Sequence, residues 1–149
     1  MEIDIHDVSK NNLQEILQLH VAASQENFVE STRQCLEEAR ECTQYKPVGL
    51  YADGEPVGFS MYGYFPREQR LWLDRFLIDE HFQGKGMGTI FLQAMLDTLK
   101  KEYPAQAIYL SVYENNLPAI YLYEKFGFKF IDERDINGEK IMKLETAMR

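Results

Sequence analysis

LDRFLIDEHFQGKGMGTIFLQAMLDTL, residues 73–99, begins as an apolar run (Leu73, Phe76, Leu77, Ile78), crosses a glycine-rich turn and continues as an amphipathic helix. The turn, Gln83-Gly84-Lys85-Gly86-Met87-Gly88, places three glycines in five residues where the helix is about to start. Lacking Cβ atoms, the backbone there can come very close to a ligand. The unpaired N–H groups and dipole of the new helix favour an anion, most naturally a phosphate.

Outward from this strand-turn-helix unit, the apolar period alternates between two and 3.6. Residues 2–8 set Ile3, Ile5 and Val8 against acidic neighbours, as in an edge strand. A helix is expected next, capped by Ser9 or Asn11, with Leu13, Ile16, Leu17 and His20 or Val21 on one face. A second helix is expected over residues 26–43, its inner stripe Phe28, Thr32, Cys35, Leu36, Ala39 and Cys42. Its outer face carries Glu26, Glu30, Glu37 and Glu41. From Val48 the period is two, with a hairpin at Asp53-Gly54 and a return through Val57, Phe59, Met61 and Tyr62. A turn at residues 65–68 leads into the strand at residues 71–79, and the helix after the glycines ends near Tyr103-Pro104, burying Phe91, Met95 or Leu96, and Leu99. Residues 107–113 alternate as a strand. A short helix follows, with Asn116 as cap, Pro118 in its first turn and Gly127 as its stop. A final hairpin turns at Asn137-Gly138. The order β-α-α-β-β-β-α-β-α-β-β indicates an α+β, mixed three-layer fold with helices covering a central sheet.

A chain of 149 residues suits one domain with a sizeable core. The net charge of −8 argues against nucleic acid, which recruits clustered Lys and Arg, and is compatible with a cationic small molecule or with solubility alone. No apolar run reaches membrane-spanning length, and residues 1–4 lack signal-peptide features, so cytoplasmic residence is the expectation. Cys35 and Cys42, on one helix, would lie roughly 10 Å apart along its axis. That exceeds disulfide reach. Neither has a zinc-type partner spacing, so no metal is expected.

The phosphate motif is not a P-loop, because no Gly-Lys-Ser/Thr follows the first glycine at the required distance. Nor is it the dinucleotide fingerprint, since Gly84, Gly86 and Gly88 are spaced G-x-G-x-G. Gln83-x-x-Gly86-x-Gly88 after an apolar strand resembles the Gln/Arg-x-x-Gly-x-Gly/Ala acetyl-CoA signature of the GNAT superfamily of N-acetyltransferases. Asn116-x-x-Ala119-x-x-x-Tyr123-Glu124-Lys125-x-Gly127-Phe128 is similar to that family's second CoA-contacting helix and the strand after it. Within the superfamily, residues 28–32, 35–39, 45–51, 72–76 and 114–116 resemble bacterial spermine/spermidine (diamine) acetyltransferases.

The resemblance implies a mostly antiparallel, twisted sheet of about seven strands whose fourth and fifth strands splay, with pantetheine of acetyl-CoA in the gap beside Phe76, Leu77 and Ile78. Gly84, Lys85, Gly86, Met87, Gly88 and Thr89 would receive the pyrophosphate, mainly through backbone N–H groups, with Gln83 opening the signature. Asn116 is either a plain helix cap or a CoA contact, and Ala119, Tyr123 and Lys125 lie on the CoA-contacting helix. Tyr123 has two readings, a packing residue or the phenol that protonates the leaving CoA thiolate, and its place in the motif selects the second. The Leu77 or Ile78 N–H would hold the oxyanion.

The acceptor amine is protonated at neutral pH and must lose a proton before attack. Asp74 matches a glutamate of polyamine-acetylating relatives, but its shorter reach leaves a direct base, a water relay, simple ammonium binding and an ion pair with Arg75 all open. Glu26, Glu30 and Glu37, with Trp72, Tyr62 and Tyr64, would line an acidic and aromatic channel for a polyamine. The expected reaction is direct acetyl transfer to a primary amine in a ternary complex. Its rivals are another amine, such as a protein N-terminus or an aminoglycoside, and a non-catalytic acetyl-CoA sensor. Exposed edge strands and many aromatics are compatible with a homodimer.

Overall fold

A computed structural model describes residues 1–25 and 31–146. One seven-stranded sheet organises them, in the order β1-β2-β3-β4-β5-β7-β6. The strands are β1 (Ile3–Asp7), β2 (Lys46–Ala52), β3 (Glu55–Phe65), β4 (Arg70–Ile78), β5 (Ile108–Val112), β6 (Lys129–Arg134) and β7 (Lys140–Leu144). The helices are α1 (Leu13–Leu17), α2 (Thr32–Glu41), α3 (Met87–Glu102) and α4 (Leu117–Lys125). This is the order read from the sequence, with two 3₁₀ turns, Ala23–Gln25 and Glu80–Phe82, added between elements. Among the described residues no helix is long and apolar enough to cross a membrane.

The antiparallel half is built from local turn chemistry. Asp53 and Gly54 both take positive φ, 50° and 83°, which matches the right-handed twist of the strands they join. β1 lies at the sheet edge, paired with β2 from Ile3↔Ala52 to Asp7↔Val48. The exception to local control is β4. Its pairing with β3 runs Met61↔Arg75 and then Tyr62↔Leu73, so Asp74 is an extra, bulged residue. Side chains alternate faces along a strand, so one inserted residue reverses the alternation. Leu71 and Leu73 therefore pack on one face, whereas Leu77 packs on the other.

Helices cover both faces. α3 buries Phe91, Leu92, Met95, Leu96 and Leu99 against Leu71, Leu73, Ile108, Leu110 and Met142, and α4 adds Ile120 to the same layer. Each such fully buried side chain contributes roughly 1.5–3 kcal/mol. Ile16 and Leu19 at α1 and Cys35 of α2 pack with Tyr51, Phe59, Met61 and Leu77 on the opposite face. Cys35 and Cys42 are not joined in a disulfide.

Two expected helices are shorter than their periodicity indicated. α1 ends at Leu17, with Asn12 rather than Ser9 or Asn11 at its N-cap position. The His20 peptide is taken over by tertiary bonds: its N–H donates to Asp79 Oδ2 at 3.0 Å and its carbonyl accepts from the Glu80 N–H at 2.8 Å. These replace the next intrahelical bonds, so Leu19 rather than His20 reaches the core. α2 starts at Thr32 because Ser31 and Gln34 form a reciprocal capping box, each side chain accepting from the other's backbone N–H.

Candidate active site

β4 and β5 run parallel but pair only at Leu71↔Ile108 and Trp72↔Tyr109. Beyond those pairs they diverge, because the bulge at Asp74 bends β4 while β5 stays paired to β7 throughout its length. A cleft of about 260 Å³ fills the divergence. It is lined by Phe76, Leu77 and Ile78 of β4, Gln83, Gly84 and Gly88 of the turn, and Asn116, Pro118, Ala119, Leu122 and Tyr123 of the α4 segment. Ligands of parallel strand-helix units bind at the carboxyl ends of the strands, and the cleft lies there.

The turn is held open by backbone conformation. Gly84 and Gly86 take φ of +78° and +80°, and a Cβ added to either would meet nothing within 4 Å. Side chains other than glycine rarely adopt this conformation, and the space beside the backbone is accessible to a ligand. Gly86 is the N-cap of α3, so the first N–H groups of that helix, from Met87 to Thr89, have no acceptor within the helix. A phosphate fits such a site by charge and geometry.

Gln83 braces the turn. Its Nε2 donates to the Ile78 carbonyl at 2.8 Å and to Gln25 Oε1 at 2.9 Å, tying the glycines to the end of β4 and to the 3₁₀ turn. Asp79 braces it from below. Buried to 4% exposure, it accepts from the backbone N–H groups of His20 and His81, each at 3.0 Å. Burial alone would raise its pKa; the hydrogen bonds from His81 and His20 outweigh it and hold the carboxyl below its ordinary value.

Tyr123 stands on the opposite wall, its ring edge-on to Phe128 at 5.8 Å between centroids. Burial, reinforced by the negative charge of Glu139, pushes its phenol up to about 12. The hydroxyl is therefore protonated throughout the neutral range, as a proton donor must be. Asn116 occupies the N-cap of α4 without making a side-chain cap hydrogen bond, and it lines the cleft.

The other expected site residues fall in three places. Lys85, Thr89 and Lys125 are exposed outside the cleft, with Lys85 Nζ 5.8 Å from the Phe82 ring centre, and Met87 packs against the core. Asp74, on the bulge, lies 3.6 Å from Arg75 Nη1 and shares a hydrogen bond with the Tyr45 hydroxyl. Arg75 extends the array to Glu38, at 3.1 and 3.2 Å. On α2, Glu38 thus faces the bulge while Glu37 points to solvent. Glu26 and Glu30 lie outside the described residues.

Trp72 pairs with Tyr109 at 5.5 Å, and the cation over these rings is Arg70, 6.0 Å from Trp72 and 4.3 Å from Tyr109. The indole N–H donates to Glu68. Tyr62 and Tyr64 do not join Trp72. Tyr62 is buried on the α3 face, donating to Glu102 at 2.8 Å, and Tyr64 stacks on Tyr103 beside it. Strand alternation across the β3–β4 pair sends these rings away from α2, so the expected aromatic channel is not assembled from them. Sequence reasoning also missed Val21 and Gln25, which line the cleft, and Glu38, which joins Arg75 beside the bulge. The bulge was invisible because it is a property of pairing, not of β4 alone.

Known proteins resemble this chain in sequence and in fold. The chain is 51% identical over 151 residues to a spermine/spermidine N(1)-acetyltransferase of Bacillus subtilis, covering 97% of this chain and 99% of that one. The fold matches the crystal structure of a PaiA N-acetyltransferase from Thermoplasma acidophilum in complex with coenzyme A, with a TM-score of 0.72 at 20% identity over 98% and 100% of the two chains. It also matches a spermidine N-acetyltransferase chimera from Vibrio cholerae and hSSAT, with a TM-score of 0.76 at 20% identity over 97% and 96%. The model of the acetyltransferase (GNAT) family matches residues 13–128, and with the splayed strands, the glycine turn and the relative at 51% identity, the chain belongs to that family.

Proposed function

We propose that this protein transfers the acetyl group of acetyl-CoA to a primary amine of a polyamine, spermidine or spermine, within a single catalytic domain. The carrying observation is the cleft between β4 and β5, lined by Gly84 and Gly88 of the turn and by Tyr123 of α4. The polyamine acceptor rests on the 51% identity to the Bacillus subtilis enzyme.

In this reading the main-chain groups of Phe76, Leu77 and Ile78 that lack a β5 partner meet the pantetheine amides, and the open backbone from Gly84 to Thr89 meets the pyrophosphate. When bound, acetyl-CoA supplies the thioester carbonyl that the amine attacks. The chain itself orients that carbonyl against a strand N–H at Leu77 or Ile78, excludes water with the apolar walls, and offers the Tyr123 proton to the leaving sulfur. Asp74 draws the cationic acceptor towards β4. Its neighbour Arg75 favours a role in binding over direct proton abstraction, so the acceptor ammonium releases its first proton to solvent water before attack, and the proton the nitrogen loses on acylation restores the Tyr123 hydroxyl. Cysteines without a disulfide and the water-soluble substrates suit the cytoplasm.

Thiol release from acetyl-CoA, measured against spermidine, spermine, an aminoglycoside and a peptide N-terminus, tests the reading. Turnover with the polyamines well above the others is expected. No thiol release with any amine would leave only the acetyl-CoA sensor.

A further inference from the structure

Residues 18–25, which follow α1, form part of the cleft wall through Val21 and Gln25. They are anchored at both ends. The Leu19 carbonyl accepts from the Thr32 hydroxyl at 3.0 Å, and the His20 peptide bonds to the Asp79 carboxylate and to the Glu80 N–H. At the far end the Gln25 N–H donates to the Ala22 carbonyl at 2.8 Å, and Gln25 Oε1 accepts from Gln83 Nε2 at 2.9 Å. The segment thus joins the end of β4 to the glycine turn, and where it lies shapes the cleft that Val21 and Gln25 line.

The His20 side chain adds an anchor of a different kind. Its Nε2 faces Glu80 Oε2 at 2.5 Å, and its Nδ1 faces the carbonyl of Gln18, the C-cap of α1, at 3.1 Å. A carboxylate and a backbone carbonyl both only accept. A neutral imidazole carries a single N–H and can satisfy one of them, whereas the imidazolium satisfies both. The Gln18 carbonyl first and the Glu80 carboxylate second accordingly lift the imidazole above its ordinary value, against a small opposing effect of desolvation. The other titratable groups facing His20 are Asp79, 3.7 Å from its Nδ1, and His81, whose ring lies edge-on at 6.0 Å with Nδ1 2.7 Å from Asp79 Oδ1. Asp79 is ionised despite its burial, so the backbone part of the clamp persists throughout the neutral range. The His20 ring is half-exposed and can exchange its proton with solvent.

We propose that His20 is a positioning residue for acetyl-CoA, docking residues 18–25 onto the phosphate turn while its ring is an imidazolium. Loss of the proton leaves one of the two acceptors without a donor and slackens that wall of the cleft. This rests on the reading of the cleft as the acetyl-CoA site. Affinity for acetyl-CoA then depends on pH through a group outside the cleft lining. Acetyl-CoA binds more tightly with His20 charged and more weakly as pH rises through the value of its imidazole.

The test measures acetyl-CoA affinity by calorimetry from about pH 6 to about pH 9 in wild type, His20→Gln, Glu80→Gln, His20→Arg and His81→Gln. Titration of the ligand's own phosphate is common to every variant and cancels in the comparison. Across the range wild-type affinity should fall about three- to tenfold more than that of His20→Gln, and Glu80→Gln should lose most of this excess. His20→Arg, charged throughout and with donors for both acceptors, should keep the low-pH affinity, and His81→Gln should keep the wild-type profile. An excess that persists in His20→Gln, or that vanishes in His81→Gln, overturns the proposal. So does an equal loss of affinity in His20→Gln at every pH, which is the mark of a merely structural role. Acetyl-CoA binding with the expected profile but no acetylation of any amine would overturn the transfer reading and leave His20 in this role, whereas a wild type that binds no acetyl-CoA overturns both.

Discussion

Replacing Tyr123 by Phe removes one hydroxyl from the cleft wall and leaves the ring against Phe128. The size of the effect follows from the environment. The phenol is pushed up to about 12, whereas a thiol titrates near about 8.5. Full proton transfer to the departing sulfur is therefore uphill by about 3.5 pH units, or about 5 kcal/mol at about 1.36 kcal/mol per unit. In the proposed reaction Tyr123 would stabilise the thiolate chiefly by donating a hydrogen bond, and bonds to charged groups contribute about 1.5–3 kcal/mol. Its loss should lower kcat roughly 10- to 150-fold, towards the lower end of the range of about 10²–10⁴ for general acids. Affinity for acetyl-CoA should change little, because the contact develops as the bond breaks. The assay is thiol release at saturating substrates from about pH 7 to about pH 10, with CoA affinity measured by calorimetry. Because the phenol stays protonated across that range, the two pH profiles should be parallel. A variant turning over within about threefold of wild type at every pH would refute the role of Tyr123 as proton donor.

Gly86→Ala places a side chain at φ +80°, where nothing collides with it but the backbone is strained, so a loss of about 1–2 kcal/mol is expected. Thermal unfolding should fall by about 2–8 °C and CoA should bind more weakly; an unchanged melting point and affinity would show that the turn does not need its glycine. Asp74→Asn should raise the KM for spermidine by about two- to tenfold and leave that for acetyl-CoA alone; an unchanged specificity constant for spermidine would remove Asp74 from acceptor binding. Tyr45, Tyr51, Tyr62 and Tyr123 are all shifted upward, chiefly by burial, Tyr51 and Tyr123 to about 12. The unfolded chain releases these protons near about pH 10 while the folded chain keeps them, so this stability is present below about pH 10 and is lost as pH rises through the folded values. Denaturation midpoints should therefore drop between about pH 10 and about pH 12, and a flat profile would contradict the buried environments.

Much of the architecture was legible one element at a time. Asp53-Gly54 and Asn137-Gly138 turn where they do because the local backbone needs residues that tolerate positive φ. The stripe Phe91, Met95, Leu96 and Leu99 is buried because its spacing is that of a helix face. The same locality explains the failures. The capping box at Ser31 ends the expected continuity of residues 26–43, and the bonds of the His20 peptide to Asp79 and Glu80 cut α1 short. The first was written locally; the second joins residues 59 positions apart.

The candidate site divides along the same line. The glycine turn, the strand before it and the tyrosine helix after it are contiguous segments whose order and spacing the sequence by itself determined, together with the family they belong to. Tertiary structure alone decided how they are used. Pairing with β3 made Asp74 a bulge, the bulge parted β4 from β5, and the parting opened the cleft. Pairing of β5 with β7 brought Ser111 to Glu139, 28 residues away. Backbone conformation is dictated by near neighbours and can be read along the chain, whereas the partners of a charge are chosen by register between strands, which no single strand encodes.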